Sequence, residues 1–272
     1  MKKGIDISYC QRNIDFEKAK QSGVDFVIIR TGYLGKTDDR FHEHIKGALA
    51  AGIDVGAYCY QMAKTVDEAV REAEETVAII GSYPITYPVF YDMEDVRLTG
   101  LTREQRTEAA IAFLETIRKN NFYPAIYTTP SWLNNFLCMD KLNKYDLWLA
   151  AWTYSPFMPT KYNMGQTMWQ WGLDDVCGVK NKVDGDICYV DYPKIIKEKG
   201  LLGKERLKLT DPAFVYVQPT EKSPCLAKCR VGEEFVILRG KDVINEGFVW
   251  KKAVKGNSYG WIKADFLDKT TL

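Results

Sequence analysis

Several things are scarce in this sequence, and each shortage excludes a class of function. No apolar run approaches the roughly 18 to 20 residues that a membrane-crossing helix needs, because charges interrupt every candidate within a few positions. The N-terminus, MKKGIDISYC, carries two lysines but no apolar stretch behind them, since Asp6 follows after a single isoleucine. It therefore does not read as a secretory signal, and the expectation is a protein made in a cytoplasm. Net charge is also lacking. With 37 Lys+Arg against 36 Asp+Glu the formal value is +1, which gives no global pull toward nucleic acid.

Histidine is rarer still. The two present, His42 and His44, are two positions apart on a probable helix with no third ligand, so a zinc site is not expected. Without a usable histidine there is no Ser or Cys triad. The phosphate-loop flavour of TGYLGKT (31–37) fails because only two residues separate its glycines where four are needed. Cysteine is not scarce, but the seven present form an odd number at irregular spacing in a chain with a full-sized core. Cys225 and Cys229 have no second pair to complete a metal site, and the pattern reads as reduced thiols. No cofactor and no metal is implied.

What is present is a soluble, ordinary composition, 46% hydrophobic and 27% charged, arranged in two patterns. Through the first 140 residues, β-rich runs at 4–8, 25–31, 55–61, 89–94 and 124–129 alternate with helical segments. Thr65 with Glu68 and Thr102 with Gln105 have the spacing of capping boxes. The second opens a helix that keeps Ala109, Phe113 and Ile117 on one face. Further strands follow at 147–152, 168–172 and 183–190 without intervening helices. Eight strands of parallel type with about five helices predict an α/β barrel whose site lies at the strands' C-terminal ends. After a helix-like PKIIKEKG (193–200) and a charged connector at 201–207, residues 208–272 change to short strands separated by turns, which predicts a small β-barrel. That tail holds 11 basic against 8 acidic residues, a weak bias toward anionic surfaces.

The chemistry is concentrated in PVFYDMED (88–95). Side chains alternate along a strand, so Phe90, Asp92 and Glu94 share one face and Val89, Tyr91 and Met93 the other. Two inward acids cost several kcal/mol unless they are paired or used, which marks Asp92 and Glu94 as functional. Asp95 faces away and reads as a cap. On the first strand, parity turns Asp6 inward. Asp184 begins the last strand, which in a closed barrel lies beside the first, so four carboxylates converge on one opening. Repulsion and desolvation would then raise at least one pKa into the range of a general acid. Asp186 lies on the same face as Asp184, and parity does not choose between them. Aromatic residues are frequent near the strand ends: Tyr58 and Tyr60, Tyr127, Trp148 and Trp152, Trp169 and Trp171. Of these, Tyr60, Tyr127, Trp152 and Trp171 are the candidates for stacking on sugar rings, a polymeric, carbohydrate-like ligand.

GIDIS, GAYCY, VFYDMED, AIYTTPSW, LWLAAW, WQWG and VDGDICY occur in the order found in family 25 glycoside hydrolases, and residues 3–195 resemble that N-acetylmuramidase type of lysozyme. The tail, with EEFVILRG, GFVWKKAV and GWIKADFL, resembles a bacterial SH3 domain that docks on cell wall, and the pairing resembles phage or prophage endolysins. The resemblance implies a TIM-like (β/α)5(β)3 barrel over residues 1–200. It implies cleavage of the β-1,4 bond between N-acetylmuramic acid and N-acetylglucosamine in peptidoglycan. In it Glu94 would be the general acid and Asp92 its assistant, with Asp6 and Asp184 completing an acidic floor. One departure stands out: where the family often reads Leu-Asn after the Val-Asp of the last strand, this chain has Gly185 and Asp186. The alternatives are a chitinase-like hydrolase, which usually carries a further acid where Phe90 stands, and a wall-binding protein without catalysis.

Overall fold

A computed structural model describes the chain except for residues 34, 82, 154, 158–161, 256, 257 and 269–272. It divides into two compact units, Met1–Ile195 and Ile196–Leu272. The first unit is built on strands β1 (Lys2–Ile7), β2 (Phe26–Tyr33), β3 (Lys36–Thr37), β4 (Asp54–Tyr60), β5 (Val89–Met93), β6 (Pro124–Thr128), β7 (Asp146–Ala150), β8 (Met168–Asp174) and β9 (Val183–Cys188). They are hydrogen-bonded in the order β1-β9-β8-β7-β6-β5-β4-β2, and a direct β1–β2 pairing closes the ring into an eight-stranded barrel, with β3 a short hairpin arm on β2.

Helices α1 (Phe16–Gln21), α2 (Phe41–Ala50), α3 (Val66–Ile80), α4 (Arg103–Lys119), α5 (Pro130–Asn135) and α6 (Met139–Leu142) occupy the connections up to β7. Thr102 forms a complete capping box with Gln105. At Thr65 only half of that motif forms: its hydroxyl accepts from the Glu68 amide, but the Glu68 carboxylate accepts from the Lys64 amide instead. Ala109, Phe113 and Ile117 are buried together on α4 as their spacing requires, and the Phe113 ring stacks on Tyr91 from β5 at 3.9 Å between centroids.

One expectation needs correction. The strands are not all parallel: β1, β2 and β4 to β8 run the same way, but β9 is antiparallel to both of its neighbours. The β8–β9 connection is too short for a crossover helix, so the chain returns as a hairpin. The reversal matters for chemistry, because it puts the beginning of β9 at the same end of the barrel as the C-termini of the parallel strands.

The opposite end is plugged with aromatic rings. Phe26 opens β2, Tyr87 precedes β5 and Tyr192 follows β9; Phe26 stacks on Tyr87 at 4.4 Å, and Tyr192 meets Tyr87 edge-on. Each of these side chains is fully buried, worth about 1.5–3 kcal/mol of apolar transfer for a ring of this kind. Glycines make the room. A Cβ on Gly4 would lie 2.3 Å from the Phe26 ring, and one on Gly56 2.7 Å from both Ile28 and Tyr87.

The second unit is an antiparallel sheet of β10 (Lys204–Lys208), β11 (Ala213–Tyr216), β12 (Cys225–Cys229), β13 (Glu234–Leu238), β14 (Val243–Asn245), β15 (Phe248–Lys255) and β16 (Ser258–Lys263). The order is β10-β13-β15-β16-β11-β12, with β14 paired to β15. Its core includes Leu207, Val215, Phe235, Ile237 and Ile262. The stretch 201–207, read from its charge as a connector, holds most of β10, which pairs with β13 from Lys204 onward. Its alternating apolar positions are too few for the pattern to show. Helix α7 (Tyr192–Lys199) carries the chain from one unit into the next.

The β5–α4 connection, which follows the acidic stretch, is held by a buried arginine. Arg106 on α4 is 2% exposed and has no carboxylate among its described partners; its guanidinium donates to the carbonyls of Leu98, Leu101 and Phe136. Arg106→Met keeps the aliphatic stem but withdraws these charged donors. It should cost about 3 kcal/mol, read as a lowered urea midpoint with an unchanged slope; a loss below ~0.5 kcal/mol would show that the loop holds itself.

Candidate functional site

The mouth of the barrel is a cavity of about 450 Å3 lined by Asp6, Asp92, Glu94 and Asp184. Parity along the strands accounts for each. Asp6 is the penultimate residue of β1 and Asp92 of β5, so both face in at the top; Glu94 is one residue beyond β5 and continues the same face. Asp184 arrives from the other direction. Because β9 is antiparallel to β1, Asp184 is the direct cross-strand partner of Asp6. Residues 178 positions apart in sequence are thereby neighbours across one ladder.

Crowding and burial act on these groups together. Asp92 is 4% exposed and its carboxyl is pushed well above the usual range, by burial first and then by the charges of Glu94 and Asp6. Asp6, 7% exposed, is raised by burial and by Asp184, against the pull of a hydrogen bond from Gln170. Glu94 is raised by burial, then by Asp184 and Asp95, and Asp184 is raised by burial. One oxygen of Asp92, Oδ1, is buried without a hydrogen-bond donor among the described residues, which adds to the cost of ionising this carboxyl.

Asp95 behaves in the opposite way. It caps the turn Val96–Leu98 by accepting from the Arg97 amide at 2.7 Å, and is clamped by the Arg97 side chain and by Tyr60 Oη at 2.9 Å. Those hydrogen bonds hold its carboxyl far below the usual range, the Arg97 side chain contributing most. It is a fixed anion at the rim, as its outward parity implied.

The candidate aromatic residues divide. Tyr60, Tyr127 and Trp152 line the cavity, and Trp152 is 60% exposed at its rim, as a stacking platform must be. Trp171 does not line it. Together with Trp169 it belongs to the apolar core cluster. The two indoles alternate with Gln170, and since Gln170 faces inward they face the helical layer. Counting parity along MWQWG would have excluded Trp171, whereas counting aromatic residues included it. Asp186, left open beside Asp184, is not a lining residue: it lies deeper, wholly buried, accepting from Trp148 Nε1 at 2.8 Å.

Gln170 and Arg30 also line the cavity, although neither stood out in the sequence. Gln170 is the hub of the polar network: its Nε2 donates to Asp6 Oδ2 at 2.8 Å, and its Oε1 accepts from Tyr127 Oη and from Trp152 Nε1, each at 3.0 Å. Two donors on one side and a carboxylate on the other fix the orientation of the amide. Arg30 is the one cation among the described lining residues; it pairs with buried Asp38 at 2.8 Å and its charge offsets part of the rise at Asp92. Both could have been found by the rule that found Asp92, a polar side chain on the inward face of an apolar strand.

Among the described residues there is no group of three or more histidine, cysteine or acidic side chains arranged to hold a metal ion, and no helix is long and apolar enough to cross a membrane. All seven cysteines are free.

Comparison with known proteins agrees with this geometry. The sequence model described as glycosyl hydrolases family 25 matches residues 5–177, from β1 to the turn before β9. An autolytic lysozyme of Clostridium acetobutylicum is 29% identical over 154 residues, covering 56% of this chain and 46% of its own length. An N,O-diacetylmuramidase of Arthroderma benhamiae is 28% identical over 181 residues, covering 61% of this chain and 75% of that protein. Among solved structures, the modular autolysin LytC of Streptococcus pneumoniae, in complex with a synthetic peptidoglycan ligand, shares 27% identity at a TM-score of 0.60, over 68% of this chain and 46% of that one. The chain thus spans less than half the length of the lysozyme and of LytC. With more than half of its residues matched to one family pattern and an acid-lined mouth on a closed barrel, this chain belongs to glycosyl hydrolase family 25.

Proposed function

We propose that the protein hydrolyses peptidoglycan at the β-1,4 bond between N-acetylmuramic acid and N-acetylglucosamine. The observation that carries this reading is the gathering of Asp6, Asp92, Glu94 and Asp184 around one cavity, with every one of these carboxyls raised. The names of the similar lysozyme and muramidase, and the peptidoglycan ligand of LytC, support the choice of substrate. The five helical connections before β7 and the helix-free run from β7 to β9 support a TIM-like (β/α)5(β)3 description of the first unit.

In this reading Glu94 is the general acid. It is the least enclosed of the raised carboxyls on β5 and its loop, so it can reach a bound glycosidic oxygen, and its raised pKa lets it hold a proton to higher pH than a free carboxyl does. Asp92 stands two residues earlier on the same face. Its carboxyl lines the cavity and is suited to accept the N–H of a substrate acetamido group, steering that group's oxygen toward the anomeric carbon. Such substrate assistance is one recognised route besides the two-carboxylate schemes. Asp6 and Asp184 add negative potential where positive charge develops on the sugar, and Trp152 and Tyr60 flank the chain of rings.

The second unit we read as a bacterial SH3-type wall-binding domain of an endolysin-like protein. Its antiparallel sheet and its exposed aromatic residues, Phe214 under Lys228 and Tyr259 under Lys252, support a docking role.

Glu94→Gln should lower the rate of wall lysis by about 10²- to 10⁴-fold while the protein still sediments with walls. Mass spectra of the wild-type digest should show new reducing ends on muramic acid; digestion of chitin alone would favour the chitinase-like alternative, and unchanged lysis by the variant would remove Glu94 from its role. Since Glu94 must hold its proton, activity should fall as pH rises through its raised pKa, and that alkaline limb should be absent from any residual activity of the variant.

Stability should fall with rising pH at Asp92 as well. A carboxyl whose folded pKa lies above its unfolded value binds its proton more tightly in the native state, so it favours folding at low pH and its contribution is lost as pH rises through the folded pKa. Each unit of elevation amounts to about 1.4 kcal/mol. Asp92→Asn should therefore raise the melting temperature at pH 7, with the gain shrinking toward pH 4; an equal gain at both would show that charge burial is not its cause.

Replacing both Phe214 and Tyr259 by Ser should weaken attachment to walls several-fold and leave cleavage of soluble glycan fragments unaltered. Undiminished attachment would place the wall contact elsewhere.

A further inference from the structure

We propose that Asp186 is a positioning residue of the active site, a neutral carboxylic acid that donates a hydrogen bond to Asp6 from beneath and so holds Asp6 ionised and aimed into the cavity. The inference rests on the reading above, in which Asp6 belongs to the hydrolytic site.

The geometry begins with the reversed strand. Two residues beyond Asp184, Asp186 has the same inward parity and lies one layer deeper, with Gly4 as its partner on β1 and Gln170 on β8. The Phe26 ring fills the space beside Gly4, and the carboxyl of Asp186, in the same layer, comes within hydrogen-bonding reach of Asp6, the inward residue above. Asp186 is 0% exposed. Its Oδ1 accepts from Trp148 Nε1 at 2.8 Å, and its Oδ2 has no N–H or O–H donor at all. Asp6 is held on its other side by Gln170, at 2.8 Å.

Two carboxyls in contact away from water cannot both stay charged. One proton is kept between them, and the surroundings decide where. Asp6 borders the cavity, less enclosed than Asp186, and accepts an amide hydrogen bond that favours its anion against the rise that burial imposes. Asp186 touches no solvent and has a single indole donor, so the proton resides on it. Burial and the charge of Asp6 both push the Asp186 carboxyl up, and Asp184 adds to this. Cys188, on the same strand, is the other titratable group that senses it, and its own thiol is pushed up by burial. The result is an Asp6 carboxylate fixed at two points, by the amide of Gln170 from β8 and by the acid of Asp186 from β9. An anion that opposes developing positive charge works best when it does not reorient during the reaction.

Asparagine provides the discriminating test, because its amide can accept from Trp148 and donate to Asp6 as a neutral acid does, but cannot ionise. Asp186→Leu should lower kcat on wall glycan by about 10- to 100-fold, the usual cost of losing an outer hydrogen-bond partner, with KM little changed. Asp186→Asn should restore most of that kcat and leave the alkaline limb set by Glu94 in place. At neutral pH its infrared spectrum should lack one carboxylic acid C=O band present in the wild type. An Asn variant as impaired as the Leu variant, or an infrared spectrum with no acid band lost, would overturn the proposal. The infrared comparison decides it even if the Leu variant fails to fold. Glu94→Gln separates the two levels: if that variant stays active the hydrolytic reading fails, whereas a dead Glu94 variant beside a dead Asn variant refutes only the role given to Asp186.

Discussion

The first unit depends on how a closed barrel distributes polarity along its interior. One end is filled by Phe26, Tyr87 and Tyr192, packed into space that Gly4 and Gly56 leave open. The other end holds Asp6, Asp92, Glu94 and Asp184 around a cavity. Each acid resists ionisation because its neighbours are acids and because the surrounding strands exclude water. The apolar plug and the ring of backbone hydrogen bonds hold the strands in place against that repulsion. Stability is thus supplied at one end and strained at the other, a separation that lets chemistry be tuned without unpacking the core.

The reversed strand is the second half of this constraint. Were β9 parallel, its first residues would lie at the plugged end and Asp184 would be far from Asp6. The hairpin from β8 brings the start of β9 to the mouth and, in the same register, lowers Asp186 into the layer beneath. One change of direction thereby supplies both a lining acid and a buried one.

Much of this was legible from residue order because strands have a two-residue period. Parity alone turned Asp6, Asp92 and Glu94 inward and Asp95 outward, and the structure has them so. Strand direction was not legible: VDGDICYV has the same apolar pattern whether it runs up or down, and only the length of the preceding connection carries the information. The abundance of rings near the strand ends points Trp171 toward the cavity, whereas its alternation with Gln170 turns it into the core. Gln170 and Arg30 were missed through attention to acids, although each is a polar residue inside an apolar run. The strand within 201–207 was hidden because its side chains are mostly charged and its pairing with β13 is a long-range fact.

The aromatic plug also sets traffic. A barrel stoppered at its base is a blind well, so under the proposed function a polysaccharide would lie across the rim and dip part of itself inside, and would not be threaded through.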